Sequence, residues 1–394
     1  MALHRHQSSL EKVLVSPPFS LNSQQCQTAT TLFGSLIQLY GVEQTTRHGY
    51  KPASLIQATY DHVAAKDAFL FFFFSFLYEN LCPSIADSLE PEITVALSFF
   101  DDFSAWDQNQ RKDANAAFEK FAEYIVEDFL IPLRTSSVKT PQPTPSSLSS
   151  IQPSTPTGTT QRVSVLRQNC LVRDRHRCVV SRKFDRSEAG RRWKQDGDDA
   201  KDDDGNLLKN ERNDDFQYLE VAHILPHCLR TVASRDTDLS DSKKEVLRIL
   251  NMFDPGIIHL VEGPKIGSPL NALTLTHDHH RAFSEFQMYF EPTGSPYQYR
   301  IDSMEQSPFL RDPLFPITGT LTLSPNRTID PPSARLLSVH RAIAKIMNLS
   351  GAGEYIEKVL RDLDEIDVRA DGSTNLGHLM NLRLGGWFNS STAF

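Results

Sequence analysis

Three polar residues stand where each could take part in acid–base or metal chemistry. His223 closes an apolar segment that begins near Glu220, and Asn271 opens a second apolar segment that leads to His280. A neutral imidazole with a pKa near 7 can take a proton from water, and a second imidazole can ligate a metal ion. The base also needs its other ring nitrogen held by a partner. Residues of these types could together activate a water molecule beside a cation.

The elements around these residues would have to place them at one end of a small sheet. Residues 216–222 combine aromatic and β-branched side chains and predict a strand that runs into His223. Residues 272–276 predict a second strand, directly after Asn271, and 278–286 predict a short helix that carries His280. Strand, loop and helix are thus each expected to contribute one of the three side chains.

This order of residues resembles the HNH endonuclease superfamily. The resemblance covers about residues 162–303, and the segment 173–180 is similar to the Arg-Asp…Cys-Val segment that often precedes the motif. It implies an α+β fold with a ββα-metal nuclease domain and metal-assisted cleavage of phosphodiester bonds in nucleic acid. It also implies three roles: His223 as general base, Asn271 as the residue that ties the loop and positions the base, and His280 as a metal ligand.

Two positions depart from the pattern of the family. Ala222 precedes the base histidine where a metal ligand often stands, and Ser284 occupies the position one helical turn after His280. Glu220 shares a strand face with Ala222, so we expect it to be the substitute ligand for Mg²⁺ or a similar divalent ion. The alternative interpretation is an inactive HNH scaffold that binds nucleic acid or a protein partner.

Charge is segregated in the segment before the first strand. Residues 162–194 are rich in Lys and Arg, whereas 196–215 are rich in Asp. Arg173, Arg175 and Arg177 are the first candidates for contacts with phosphate groups, and a solvated basic surface is the alternative. We expect the acidic residues near 195–215 to form a disordered insertion.

The composition predicts more than one domain. The chain has 394 residues, 39% of them hydrophobic, and a net charge of −8, so binding of nucleic acid must depend on a local basic patch. A Ser/Thr/Pro-rich stretch predicts a flexible linker. The predicted organisation is a disordered N-terminus at 1–24, an α-helical domain at 25–133, the linker at 134–160, the HNH-like domain at 161–330, and C-terminal helices with a tail at 331–394.

The expected partner and compartment follow from the same reasoning. We expect nucleic acid as the partner, DNA before RNA, and the oligomeric state is left open. The apolar run at 68–77 is only about half as long as a membrane-spanning helix, so no membrane partner is expected. Five scattered cysteines and no secretory signal predict an intracellular protein, in the nucleus or the cytoplasm.

Overall fold

The computed structural model of the chain describes residues 21–82, 93–137, 159–229, 241–324 and 327–364. The chain divides into two compact units. The first contains the described residues within Met1–Pro132, Val232–Ile258 and Lys345–Gly385, and the second those within Leu133–Thr231 and His259–Ala344. The second unit contains His223, Asn271 and His280.

The described residues combine many helices with small sheets. The helices are α1 Ser23–Tyr40, α2 Pro52–His62, α3 Lys66–Leu81, α4 Ile93–Asp101, α5 Gln108–Ile125, α6 Ile131–Ser137, α7 Thr159–Arg173, α8 Arg186–Asp196, α9 Asp241–Phe253, α10 Ile258–Val261, α11 His277–Ser284, α12 Ala334–Ser350 and α13 Ala352–Asp364. The strands are β1 Phe184–Asp185, β2 Phe216–Gln217, β3 Leu219–His223, β4 Ala272–Thr276, β5 Met288–Pro292, β6 Gln298–Ser303 and β7 Ile317–Thr320. The fold class is α+β, as the sequence predicts.

The first unit is helical and has an aromatic core. The Phe-rich run on α3 is almost completely buried. The ring of Phe73 meets Phe33 of α1 at 5.3 Å and Phe121 of α5 at 5.1 Å, both edge to face. Aromatic pairs in this orientation contribute stability beyond the area that they bury. The apolar run on α3 is therefore a core helix, and no helix among the described residues is long and apolar enough to cross a bilayer.

The second unit is built around two antiparallel strands and the helix that follows them. β3 pairs with β4 so that His223 lies opposite Ala272 and Glu220 lies opposite Leu275. α11 begins directly after β4, and its N-cap residue Thr276 accepts a hydrogen bond from the backbone N–H of His279. This β3–β4–α11 motif places the end of one strand, the entry to the next and the helix within one site.

Other elements of the second unit support this motif. Leu166 and Cys170 of α7 pack on Val221 of β3 and Ala272 of β4. β5, β6 and β7 form a separate antiparallel sheet, in which β5 and β6 are neighbours in the chain and pair with each other. On α12, His340 stacks on the ring of Phe283 of α11 at 3.8 Å. The motif is therefore packed on more than one side by apolar groups.

The acidic segment differs from the disordered insertion that we expected. It contains short 3₁₀ turns at Gly197–Asp199, Leu208–Asn210 and Asn213–Asp215. Ala200 and Leu208 pack on Phe184, which gives the segment a small apolar core of its own. The Asp202 carboxylate also accepts hydrogen bonds from two backbone N–H groups within the segment. The acidic segment is ordered because its aspartates have hydrogen-bond and ion-pair partners, which the local sequence does not reveal.

Two predicted segments fall largely outside the described residues. Of the predicted linker, the structure describes only 134–137 and 159–160, and both pieces lie in helices. Of the predicted N-terminal segment, it describes residues 21–24, where α1 begins at Ser23.

Candidate active site

Asn271 fastens the loop that follows His223. Its side-chain oxygen accepts a hydrogen bond from the backbone N–H of Leu225 at 2.9 Å, and its amide nitrogen donates to the Leu225 and Ile266 carbonyls, each at 2.9 Å. The Asn271 carbonyl also accepts from the backbone N–H of Ile224 at 2.9 Å. Asn271 is completely buried, so these bonds have no competition from water. They fix the backbone one and two residues beyond His223.

Arg173 fastens the segment that carries Asn271. Its guanidinium binds the Asp174 carboxylate through two hydrogen bonds of 2.8 Å, and it donates to the carbonyls of Pro269 at 2.7 Å and Ala272 at 2.9 Å. The two carbonyls bracket Asn271 in the chain. Arg173 is fully buried, which is incompatible with the phosphate contact expected from the sequence. A buried charge needs a partner, and the adjacent Asp174 was the sequence signal that could have indicated the burial of Arg173.

Arg175 and Arg177 also bind carboxylates of the chain. Arg175 forms an ion pair with Asp204, and Arg177 binds Asp202 at 2.9 Å and Glu211 at 2.7 Å. Arg177 is mostly buried, whereas Arg175 retains over a third of its exposure. The aspartates of the acidic segment thus neutralise the basic residues that we expected to bind phosphate. Charge pairing within the domain explains why the two oppositely charged runs are neighbours in the sequence.

Glu220 lies between two histidines of α11. Its Oε2 atom is 2.6 Å from Nδ1 of His280, and its Oε1 atom is 3.1 Å from Nδ1 of His277. Hydrogen bonds from these imidazoles lower the pKa of the Glu220 carboxyl to about 2. Glu220 is therefore a carboxylate near neutral pH, and Nδ1 of each histidine is the donor. The two residues proposed from the sequence as a metal pair are in direct contact.

His223 is buried without a hydrogen-bond partner. It is 8% exposed, and neither ring nitrogen has a partner within the described structure. Burial, together with smaller effects of the nearby His227 and His280, lowers its pKa to about 3. The His227 ring lies 5.5 Å from that of His223. His223 is accordingly a neutral imidazole close to the Glu220–His280 pair.

The sequence also predicts a set of metal ligands in the site, and the structure brings few such side chains together. Among the described residues, no group of three His, Cys, Asp or Glu side chains is arranged to hold a metal ion. Ala222 and Ser284, where the family pattern led us to look for ligands, are both buried. Glu220 and His280 are the candidate donors that the structure brings together.

A second cluster, which no pattern in the sequence indicated, surrounds His279 of α11. Nδ1 of His279 lies 3.0 Å from the Thr276 hydroxyl and 3.7 Å from the Cys178 sulfur, and its Nε2 atom lies 3.2 Å from the Asp312 carboxylate. The pKa of the His279 imidazole is raised, because the effects of Cys178 and Asp312 outweigh burial. The histidine next to His280 in sequence therefore connects α11 to two distant segments and fixes the helix that carries His280.

Comparison with known proteins agrees with this geometry. Residues 178–291 match the family model described as HNH endonuclease. No curated protein and no solved structure matches the chain. The matched range includes β3, β4 and α11, and with them Glu220, His223, Asn271 and His280. The chain therefore contains, at residues 178–291, a domain of the HNH endonuclease superfamily.

Proposed function

We propose that this domain hydrolyses phosphodiester bonds of nucleic acid with the help of a divalent metal ion. His223 is the general base, Asn271 holds the base loop, and Glu220 with His280 binds the ion. DNA is the first candidate substrate, with RNA as the alternative. The coarser statement, that the domain belongs to a nuclease family, already follows from the match over residues 178–291.

The observation that carries the proposal is the imidazole of His223. A buried polar group without a partner costs about 1–3 kcal/mol, and native proteins retain few of them. Both nitrogens of His223 are in this state, and His280, which contacts Glu220, lies near His223. A water molecule or a phosphate oxygen would supply the missing partner, and either one is what a general base must contact.

The protonation state of His223 suits this role. Its pKa of about 3 keeps the ring neutral near pH 7, so a nitrogen is free to accept a proton from water. The negative charge of a bound phosphate stabilises an imidazolium beside it. Substrate binding therefore makes His223 a stronger base. Asn271 prevents the loop from carrying the imidazole away, since Leu225 is held at both its N–H and its carbonyl.

The donors present fit a hard divalent ion that keeps part of its water shell. Mg²⁺ commonly uses one or two carboxylates together with phosphate oxygens and waters. Glu220 supplies a carboxylate, and His280 supplies an imidazole nitrogen. When bound, the ion would neutralise charge that develops on the phosphoryl group. With only two protein donors, we expect the ion to bind weakly by itself and more tightly when phosphate oxygens of the substrate complete its ligands.

The runner-up is an inactive scaffold that binds nucleic acid or a protein partner. The absence of a three-ligand group among the described residues favours it. It predicts that His223 can be replaced without consequence for any chemistry. The nuclease proposal requires the opposite.

The compartment belongs to the proposal as well. Cys26, Cys82, Cys170 and Cys178 are free thiols in the described structure. Free thiols fit a reducing environment, so we propose an intracellular location, without choosing between nucleus and cytoplasm.

The test is cleavage of supercoiled plasmid DNA with Mg²⁺, Mn²⁺ or Ni²⁺. Removing a general base lowers the rate by about 10²- to 10⁴-fold, so His223→Ala should lose most of the cleavage activity. A chelator should abolish cleavage by the wild type. The matched control is His259→Ala, because His259 is an exposed histidine of the same unit and should keep full activity. Equal metal-dependent cleavage by His223→Ala and wild type would reject the proposal.

A further inference from the structure

An exposed tyrosine borders the proposed site. Tyr218 directly precedes β3 and is 66% exposed, although Leu219 and Val221 on the same segment are buried. Side chains alternate along an extended strand, so Tyr218 lies on the same face as Glu220. Two residues of strand span about 7 Å. The backbone of Tyr218 is therefore one strand repeat from that of Glu220, whose carboxylate we propose as a metal ligand.

An exposed arginine lies beside this tyrosine. β1 and β2 are parallel and end at Asp185 and Gln217, which pair with each other, so Arg186 and Tyr218 each directly follow one residue of a paired couple. Adjacent strands are about 4.8 Å apart. Arg186 is exposed at the first position of α8, and no carboxylate among the described residues lies within ion-pair distance of it. An available positive charge and an aromatic face thus lie side by side.

Asp185 holds the two residues in this relation. One carboxylate oxygen accepts from the backbone N–H of Glu188 at 2.8 Å, which caps α8, and the other accepts from the backbone N–H of Leu219 at 3.1 Å. Asp185 is 2% exposed, and Arg167 lies 3.8 Å from it and also donates to the Leu219 carbonyl at 2.6 Å. The start of α8 is thereby tied to the start of β3. The placement of Arg186 and Tyr218 is built into the fold.

We infer that Tyr218 and Arg186 form a subsite for an unpaired nucleotide next to the phosphate that reaches Glu220 and His280. The Tyr218 ring stacks on the base, and Arg186 binds the phosphate of that nucleotide. Stacking on an aromatic side chain accepts any base, whereas a base within a duplex is already stacked on its neighbours. This subsite rests on the proposed nuclease function, and it narrows the substrate to single-stranded or locally opened nucleic acid.

The test measures binding separately from cleavage. Fluorescence anisotropy of a labelled single strand, with chelator present, gives the dissociation constant of the full chain in the His223→Ala background. Tyr218→Ala should weaken binding by about 5- to 150-fold, and Tyr218→Phe should restore it because the ring is kept. Tyr297→Ala is the matched control, since Tyr297 is an exposed tyrosine in the turn before β6. Single-stranded DNA and RNA are compared with a duplex of the same sequence.

The salt dependence tests the arginine independently. Loss of one phosphate contact on a single strand should reduce the slope of log affinity against log salt by about 0.7, so Arg186→Gln should show that change. Any one of three results would overturn the subsite. These are an unchanged salt slope in Arg186→Gln, equal binding by Tyr218→Ala and Tyr297→Ala, and binding by Tyr218→Phe that is as weak as that of Tyr218→Ala. If wild type cleaves normally in those cases, the nuclease proposal survives. Tyr218-dependent binding by a wild type that never cleaves would support the subsite and reject the nuclease proposal.

Discussion

Asn271 binds both backbone polar groups of Leu225, two residues beyond His223, through hydrogen bonds of 2.9 Å. Leu225 belongs to the loop that follows β3, and Asn271 directly precedes β4. One buried side chain therefore joins the end of β3 to the start of β4. The position of His223 follows from this connection. This connection holds the backbone beside His223, whereas the His223 imidazole has no hydrogen-bond partner among the described residues.

Replacing Asn271 should destabilise the second unit. Asn271→Ala removes three buried hydrogen bonds and leaves the Leu225 N–H, the Leu225 carbonyl and the Ile266 carbonyl without partners. We expect the free energy of unfolding to fall by about 3 kcal/mol or more, measured by urea denaturation. Asn213→Ala, at an exposed position, should change it by less than about 0.5 kcal/mol. Equal stability of the two variants would contradict the role of Asn271.

Replacing Arg173 should act on stability and not on electrostatic binding. Arg173→Ala leaves the buried Asp174 carboxylate without its partner, at a cost of about 3–5 kcal/mol in unfolding free energy. The exposed Arg186 is the comparison, and Arg186→Ala should leave unfolding nearly unchanged. If Arg173→Ala were as stable as wild type and instead altered the salt dependence of DNA binding, the result would support the phosphate contact that the sequence predicted for Arg173.

Stability should decline as the pH falls below about 6.5. His223 and His340 are buried with pKa values of about 3, whereas the unfolded chain takes up these protons near pH 6.5. Between the two values the unfolded state binds more protons, so each histidine removes up to about 1.4 kcal/mol per pH unit on acidification. His340→Phe keeps an aromatic ring beside Phe283 and should reduce that slope by one proton. His259→Phe, at an exposed site, should leave the slope unchanged, and an unchanged slope in His340→Phe would contradict the account.

Removing the Glu220 carboxylate should abolish metal binding in the absence of substrate. Glu220 is anionic near neutral pH, since its pKa is about 2. Mn²⁺ should raise the melting temperature of wild type, because an ion that binds only the folded state stabilises it. Glu220→Gln should lose this shift, while Glu43→Gln, at an exposed carboxylate of the helical unit, should keep it. A Mn²⁺-dependent shift of the same size in Glu220→Gln would place the ion elsewhere.

The local elements of the candidate site could be predicted because their signals are local. The alternating pattern before His223 gives β3, the apolar run after Asn271 gives β4, and the structure has both, followed by the helix of His280. The contact of Glu220 with that helix follows from strand alternation and antiparallel pairing. These relations depend on periodicity and on neighbours in one motif.

The partners of charged residues could not be predicted because they lie far apart in the chain. Arg173 binds the carbonyls of Pro269 and Ala272, nearly a hundred residues away, and only the fold brings them together. The order of the acidic segment depends on Phe184 and on arginines outside it. Charge density in a sequence cannot distinguish a solvated surface from an internally paired one. The sequence also cannot show that His223 has no hydrogen-bond partner among the described residues, because that depends on the tertiary structure.

The central claim is that His223 is the base of a metal-dependent nuclease, and the most direct test is the single-turnover cleavage rate with saturating enzyme and Mn²⁺. This rate isolates the chemical step from substrate binding and product release. We expect His223→Ala to lower this rate by about 10²- to 10⁴-fold, with oligonucleotide affinity and melting temperature close to those of His259→Ala. Equal single-turnover rates in His223→Ala and wild type would contradict the claim.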